Sequence, residues 1–166
     1  MYFKSIYWRL ENHARRIYDF RMKLTRYTDY ALRVLMHLAV QPRQLTSIST
    51  IARAYGISQN HLVKVVQDLR VAGFVEAVRG RTGGIRLGRP AEEIVLGEVV
   101  RHTEEGFDLV NCSQCLIAPA CALTGALHHA LGAFMDVLDG YTLADLTNTR
   151  SEALRRILAI PGQEAA

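Results

Sequence analysis

Three cysteines in 166 residues, all between Cys112 and Cys121, are too few and too closely set for a disulfide-stapled secreted scaffold. No apolar run approaches the length that crosses a bilayer, so the sequence offers no transmembrane segment and no membrane partner. The first 21 residues mix Lys and Arg with Glu11, Asn12, His13 and Asp19 and lack a continuous apolar core, which excludes a secretory signal. Internal repeats, low-complexity tracts, a nucleotide-binding glycine loop, paired catalytic carboxylates and a Ser/His/Asp arrangement are also missing. What is left is a cytoplasmic chain that is not an enzyme and whose thiols stay reduced. With 49% apolar and 22% charged residues, it has the composition of a packed domain rather than a disordered one.

The net charge of +4 hides a split. Residues 22–90 hold eleven Lys/Arg against Asp29, Asp68 and Glu76, whereas residues 91–166 hold four Arg against eleven Asp/Glu. A basic front half and an acidic back half point to a polyanion as the partner of the front half.

Periodicity locates the elements. Tyr27, Ala31, Val34, Leu35 and Leu38 lie on one helical face behind the N-cap candidate Thr25, and Pro42 stops the pattern. Ile48, Ile51, Ala52 and Tyr55 follow at i, i+3, i+4, i+7, capped by Ser47 and closed by Gly56. Ser58 then caps a helix with Leu62, Val65, Val66 and Leu69 inward, closed by Gly73. Two short β-prone runs flank a basic, glycine-rich tip, Arg79-Gly80-Arg81-Thr82-Gly83. Helix, helix, helix, hairpin is the order of a winged helix-turn-helix. The fold class is therefore mainly α with a small β-hairpin, and residues 22–90 read as the DNA-binding domain. Residues 1–21 read as an N-terminal extension to which no role is assigned.

The back half, 91–160, reads as a helix over 92–104, a cysteine-bearing loop over 105–120, and a long helix from about Ala120 to Leu138. Pro119 suits the first turn of that long helix. Its stripe (Leu123, Ala126, Leu127, Ala130, Leu131, Ala133, Phe134, Val137, Leu138) is wide enough to meet both its own domain and a second subunit, so it reads as a dimerisation helix. One or two short helices occupy Tyr141 to Leu158, and 161–166 is a flexible tail.

On the second helix of the motif, the face opposite the apolar set carries Gln59, Asn60, His61, Lys64 and Gln67, next to Ser58. In a major groove Asn and Gln pair bidentately with adenine edges, and Lys64 reaches phosphate or guanine. Arg79 and Arg81 at the wing tip, with Arg86 and Arg89 behind, suit a narrow minor groove or phosphates. The expected DNA contacts are Ser58, Gln59, Asn60, His61, Lys64, Arg79, Arg81 and Arg86.

Asn111 to Cys121 contains C-x2-C-x5-C. Soft thiolates in a reducing compartment suit an iron–sulfur cluster or zinc. Cys121 in the first turn of the long helix would gain thiolate character from the helix dipole. Four readings stay open on spacing alone: a cluster, zinc with Cys₃His ligation using His102, His128 or His129, a Cys112–Cys115 redox switch, and inert buried cysteines.

The stretches Met22 to Arg33, Ser58 to Val66, Arg79 to Gly84 and Asn111 to Cys121 together resemble the Rrf-type family of winged-helix repressors, in particular its nitric-oxide-sensing branch. The likeness covers about residues 22–148. It implies a homodimer on double-stranded promoter DNA, with nitric oxide as the signal. It also implies one iron–sulfur cluster (4Fe-4S or 2Fe-2S) per subunit, held by Cys112, Cys115 and Cys121. In cluster-assembly regulators of the family a histidine stands three residues after the last cysteine, but here that residue is Thr124. In the nitric-oxide-sensing members an aspartate near the start of the first helix completes the cluster from the other subunit, and Asp29 occupies the matching position. The gap between the first two cysteines is shorter than in several relatives, which leaves nuclearity open. An iron- or cluster-status repressor of the same architecture, or a zinc-stabilised regulator, is the alternative function.

Overall fold

The computed structural model describes residues 23–42, 44–80, 83–148 and 151–158, without the side chains at 151 and 152. The extension over 1–21, the wing-tip residue Arg81 and the tail over 161–166 lie outside these residues. Helix α1 (Arg26–Val40) begins where the Thr25 hydroxyl accepts the Thr28 N–H at 3.2 Å. Helix α2 (Ile48–Tyr55) begins where Ser47 accepts the Thr50 N–H at 3.1 Å. Gly56 ends α2 at φ 63, a left-handed turn that costs glycine little, and α3 (Gln59–Val71) leaves from it. Strands β1 (Val75–Val78) and β2 (Gly84–Leu87) pair antiparallel, Val75 opposite Leu87 and Val78 opposite Gly84. Thr46 bridges to Ile85, which stitches the wing to the segment before α2. The expected winged helix-turn-helix is present.

Its core is aliphatic. Leu35 and Leu38 of α1, Ile51 of α2, and Leu62 and Leu69 of α3 are fully buried. Each such side chain contributes roughly 1.5–3 kcal/mol of hydrophobic stabilisation. Ile94, Val99 and Leu143, from the acidic half, complete the same cluster.

Beyond the wing, a 3₁₀ turn (Ala91–Glu93) precedes α4 (Leu96–Thr103), so the helix expected over 92–104 begins later. Ile94 and Val95 are extended because they pair with a distant segment: the Leu143 N–H donates to the Ile94 carbonyl at 2.8 Å, and the Leu96 N–H to Tyr141 at 2.9 Å. The cysteine loop follows, then a 3₁₀ turn (Ala118–Ala120) and the long α5 (Leu123–Asp139). Pro119 thus lies in the first turn of the 3₁₀ segment, not of α5. Helices α6 (Leu143–Asn148) and α7 (Ser151–Leu158) fold back on α1, where Arg155 Nε donates to the Val40 carbonyl at 3.2 Å.

Most of α5 is left uncovered. Only Met135 is buried, while Leu123, Ala126, Ala130, Ala133 and Val137 are exposed along its length.

His37 of α1 is fully buried, and neither ring nitrogen has a hydrogen-bond partner among the described residues. Its ring meets Tyr55 edge-on at 5.9 Å, with the Arg33 guanidinium over the far ring. Burial holds the His37 pKa below the ordinary histidine value. The unfolded chain therefore takes up a proton below about pH 6.5 that the folded chain refuses, and stability falls as pH drops from there toward the folded pKa. The expected result is a melting temperature that declines between neutral pH and pH 5, with a shallower decline in His37→Leu. Parallel profiles for the two proteins would show that His37 contributes nothing to acid sensitivity.

Candidate nucleic-acid interface and metal-binding loop

The face of α3 away from the core presents Gln59, Asn60, His61 and Lys64, all exposed. Ser58 stands at the N-cap position, but its hydroxyl makes no capping bond, so this exposed group stays available at the helix N-terminus where a phosphate would bind. Val63 is also exposed, at 44%, and went unmarked in the sequence because exposure of an apolar residue there has no periodic signature. Arg79 is exposed at the end of β1. Arg86 is differently placed: its Nε and Nη2 each reach Glu76 Oε2 at 3.0 Å across the hairpin. Arg81 lies outside the described residues.

The three cysteines are free thiols, Cys115 exposed and the other two half-buried. Their loop is a run of three-residue turns. The Cys115 N–H donates to Cys112 at 3.2 Å, Ala118 to Cys115 at 3.1 Å, and Cys121 to Ala118 at 3.3 Å. These turns set Cys112 and Cys115 at the two ends of one turn, and Cys121 closes the turn that starts at Ala118. Cys121 departs from expectation. It has extended backbone ahead of α5, with Ala122 at the N-cap, so it is not in the helix's first turn and the dipole argument loses its geometry.

Cys112 Sγ lies 3.4 Å from Thr124 Oγ1, on the wall of a hollow of about 550 Å³ that Asp108, Asn111, Leu127 and His128 also line. No three Cys, His, Asp or Glu side chains converge as ligands of a single ion among the described residues. His102, one of the histidines available to zinc, is engaged elsewhere. Asp29 is half-buried and bound bidentately to Arg33 one turn on, Oδ1 to Nε and Oδ2 to Nη2, both at 2.9 Å. The loop's tip is apolar and open, Leu116 being 95% exposed.

Between head and loop stands α4. Arg101 binds Asp139 of α5 bidentately, one contact at 2.8 Å, and this holds the Asp139 carboxyl below the usual carboxylate range. Gly97 lies under that pair: a Cβ there would come within 3.1 Å of Arg101 Nη1 and would collide with the Asp139 carboxylate. Glu98 takes Arg89 at 2.6 Å, and Arg89 covers the Phe74 ring at 4.9 Å. His102 meets Phe74 edge-on at 6.0 Å and places Nε2 3.1 Å from Asp68 Oδ1 on α3. Asp68 Oδ2 also accepts the Tyr27 hydroxyl at 3.0 Å. Burial, then the bond to Asp68, push the Tyr27 pKa up to about 12, so Tyr27 remains a donor at neutral pH. Glu104 Oε1 accepts the Thr25 N–H at 2.8 Å and the Thr28 hydroxyl at 2.6 Å, gripping the start of α1. Asp68, Glu104 and Tyr27 did not stand out in the sequence, since their partners lie far away along the chain.

Comparison with known proteins bears on this arrangement. A family model described as Rrf2, iron-dependent transcriptional regulator, matches residues 24–149. The chain is 49% identical over 144 residues to the HTH-type transcriptional regulator NsrR of Bacillus licheniformis, covering 83% of this chain and 100% of that protein. It is 50% identical over 143 residues to the NsrR of Geobacillus kaustophilus, covering 82% and 97%. Among solved structures it resembles T. potens IscR at TM-score 0.67 and 26% identity, covering 80% of this chain and 91% of that one. It also resembles CymR, the global cysteine regulator of B. subtilis, at TM-score 0.62 and 28% identity, covering 77% and 98%. A transcription regulator rather than an enzyme, the chain belongs to the Rrf2 family of iron-dependent transcriptional regulators.

Proposed function

We propose that the chain is a nitric-oxide-sensitive cytoplasmic repressor that holds promoter DNA as a homodimer carrying one iron–sulfur cluster per subunit. The observation that carries this reading is the loop of three free thiols set on successive three-residue turns, attached to a basic reading head. The donor set fits the group. Soft thiolates suit iron–sulfur chemistry, and three free thiols on one short loop supply sulfur ligands of the kind a cluster draws from a protein. When bound, the cluster supplies irons open to nitric oxide.

The chain's own residues do the rest. Cys112, Cys115 and Cys121 would hold the cluster. Asp29 of the partner subunit would be the fourth ligand once it leaves Arg33, which ties α1 of one subunit to the loop of the other. Ser58, Gln59, Asn60, His61 and Lys64 would enter the major groove while Arg79 and Arg81 hold the flanking backbone. The exposed face of α5 would join the two subunits and set the spacing of the half-sites. No helix among the described residues is long and apolar enough to cross a membrane.

Protein purified without oxygen is expected to be brown, and adding nitric oxide should bleach the sulfide-to-iron absorbance and release operator DNA together. Colourless protein with stoichiometric zinc would end this reading. The family's description as iron-dependent speaks for a second one, a repressor that answers to cluster supply. In that case iron chelation, rather than nitric oxide, would release the DNA.

A further inference from the structure

We propose that Asp68 is the positioning residue through which the cysteine-loop half of the chain sets the pose of α3 on DNA, with His102 and Tyr27 as its two partners. This rests on the reading above, that the state of the loop governs DNA binding.

The inward face of α3 is Leu62, Val65, Val66 and Leu69. Aliphatic contacts of this kind hold a helix down but are non-directional. Asp68 supplies direction. Its two oxygens are taken separately, Oδ1 by His102 Nε2 at 3.1 Å and Oδ2 by the Tyr27 hydroxyl at 3.0 Å, so the carboxylate plane is fixed by two different helices. An acid on a basic reading head opposes phosphate approach, so Asp68 does not act as a DNA contact. Its contribution is what it holds.

The His102 end of this contact is tied to the loop. His102 sits in the last turn of α4, from which the cysteine loop departs. Two residues on, Glu104 binds Thr25 and Thr28 at the start of α1. One residue back, Arg101 locks α4 to the end of α5. A shift of the loop or of α5 that turns α4 therefore moves His102 and Glu104 together, and Asp68 passes the movement to α3. Phe74, between His102 and the Arg89 guanidinium, keeps the corner after α3 in the same frame.

The test uses full-length protein, prepared without oxygen, in cluster-loaded and metal-free forms. Operator selected from random DNA by the loaded wild type serves as specific probe, and a scrambled duplex as non-specific probe. The readout is the ratio of operator affinities, loaded over metal-free. Taking a ratio cancels any general gain in affinity from removing an acid.

Wild type is expected to show a ratio of about a hundredfold. Asp68→Ala and His102→Gln should each cut it by about tenfold, while cluster absorbance and its bleaching by nitric oxide stay as in wild type. Asp68→Asn, whose one amide oxygen can serve only one of the two partners, should recover part of the ratio. The Asp68→Ala/His102→Gln double variant should fall no further than either single, as residues acting in one chain of contacts do. If Asp68→Ala does not fold, His102→Gln carries the test. An unchanged ratio in a folded variant overturns the proposal and leaves the sensing reading intact. A wild type that binds equally well in both forms overturns the sensing reading, and this proposal with it.

Discussion

Cys121→Ser protein purified without oxygen is expected to be colourless and to bind operator about a hundredfold more weakly than loaded wild type, with a melting temperature close to that of metal-free wild type. The two halves of this expectation have separate grounds. None of the three thiols belongs to the hydrophobic core, and substitutions at such sites usually change stability by no more than about 0.5 kcal/mol. A serine hydroxyl replaces a soft, readily ionised donor with a hard one of high pKa, which iron in a sulfide cluster holds poorly. Cys112→Ser and Cys115→Ser should behave alike, because removing any one of three protein thiolates opens a position. Anaerobic absorption spectra, fluorescence anisotropy on labelled operator and thermal unfolding make the check. A Cys121→Ser protein with full operator affinity would separate the thiols from DNA binding altogether. Graded effects instead, strong at Cys112 and Cys115 but absent at Cys121, would favour a two-thiol redox switch over a cluster.

The reading head was legible in the sequence because its chemistry is local. Thr25 and Ser47 bond N–H groups three residues on, Gly56 adopts the left-handed turn, and the apolar positions repeat at helical spacing. The back half was less legible where partners are remote. Ile94 and Val95 fall inside the helix read over 92–104, yet both are β-branched, and their backbone groups are claimed by the Tyr141–Leu143 segment. Cys121 was placed one element too late because Pro119 and the alanines beside it close a three-residue turn before α5 can start. The links across the joint carry no pattern at all: Glu104 and Thr25 are 79 positions apart, and Asp68 and Tyr27 are 41 apart. Arg86 shows the same limit. Its place in the wing reads as a phosphate contact, but its cross-strand pairing with Glu76 has no signature along the chain. Propensity and caps thus describe elements, whereas the charges that tie one element to another emerge only when the chain is folded.

The largest loss of operator affinity short of unfolding is expected from Ala130→Glu. On α5 the exposed positions Leu123, Ala126, Ala130, Ala133 and Val137 recur at alternating intervals of three and four, the spacing of a coiled-coil seam. Leu123 is 55% and Val137 61% exposed, with small alanines between them, so a second helix can approach closely along the middle of the seam. In a two-fold dimer each residue enters the interface twice, and Ala130 is the central one. A glutamate there brings two unpaired carboxylates into a desolvated contact, which costs several kcal/mol, while in a monomer it is an ordinary exposed residue with good helix propensity. The variant should therefore stay folded and run as a monomer. Losing the second half-site removes the gain from linked binding, so operator affinity should fall by about a thousandfold, with half-site affinity little changed. Analytical ultracentrifugation beside full-site and half-site binding separates these effects. If Ala130→Glu sediments as wild type and keeps full-site affinity, the seam is not the subunit contact, and the spacing of the two reading heads is set elsewhere.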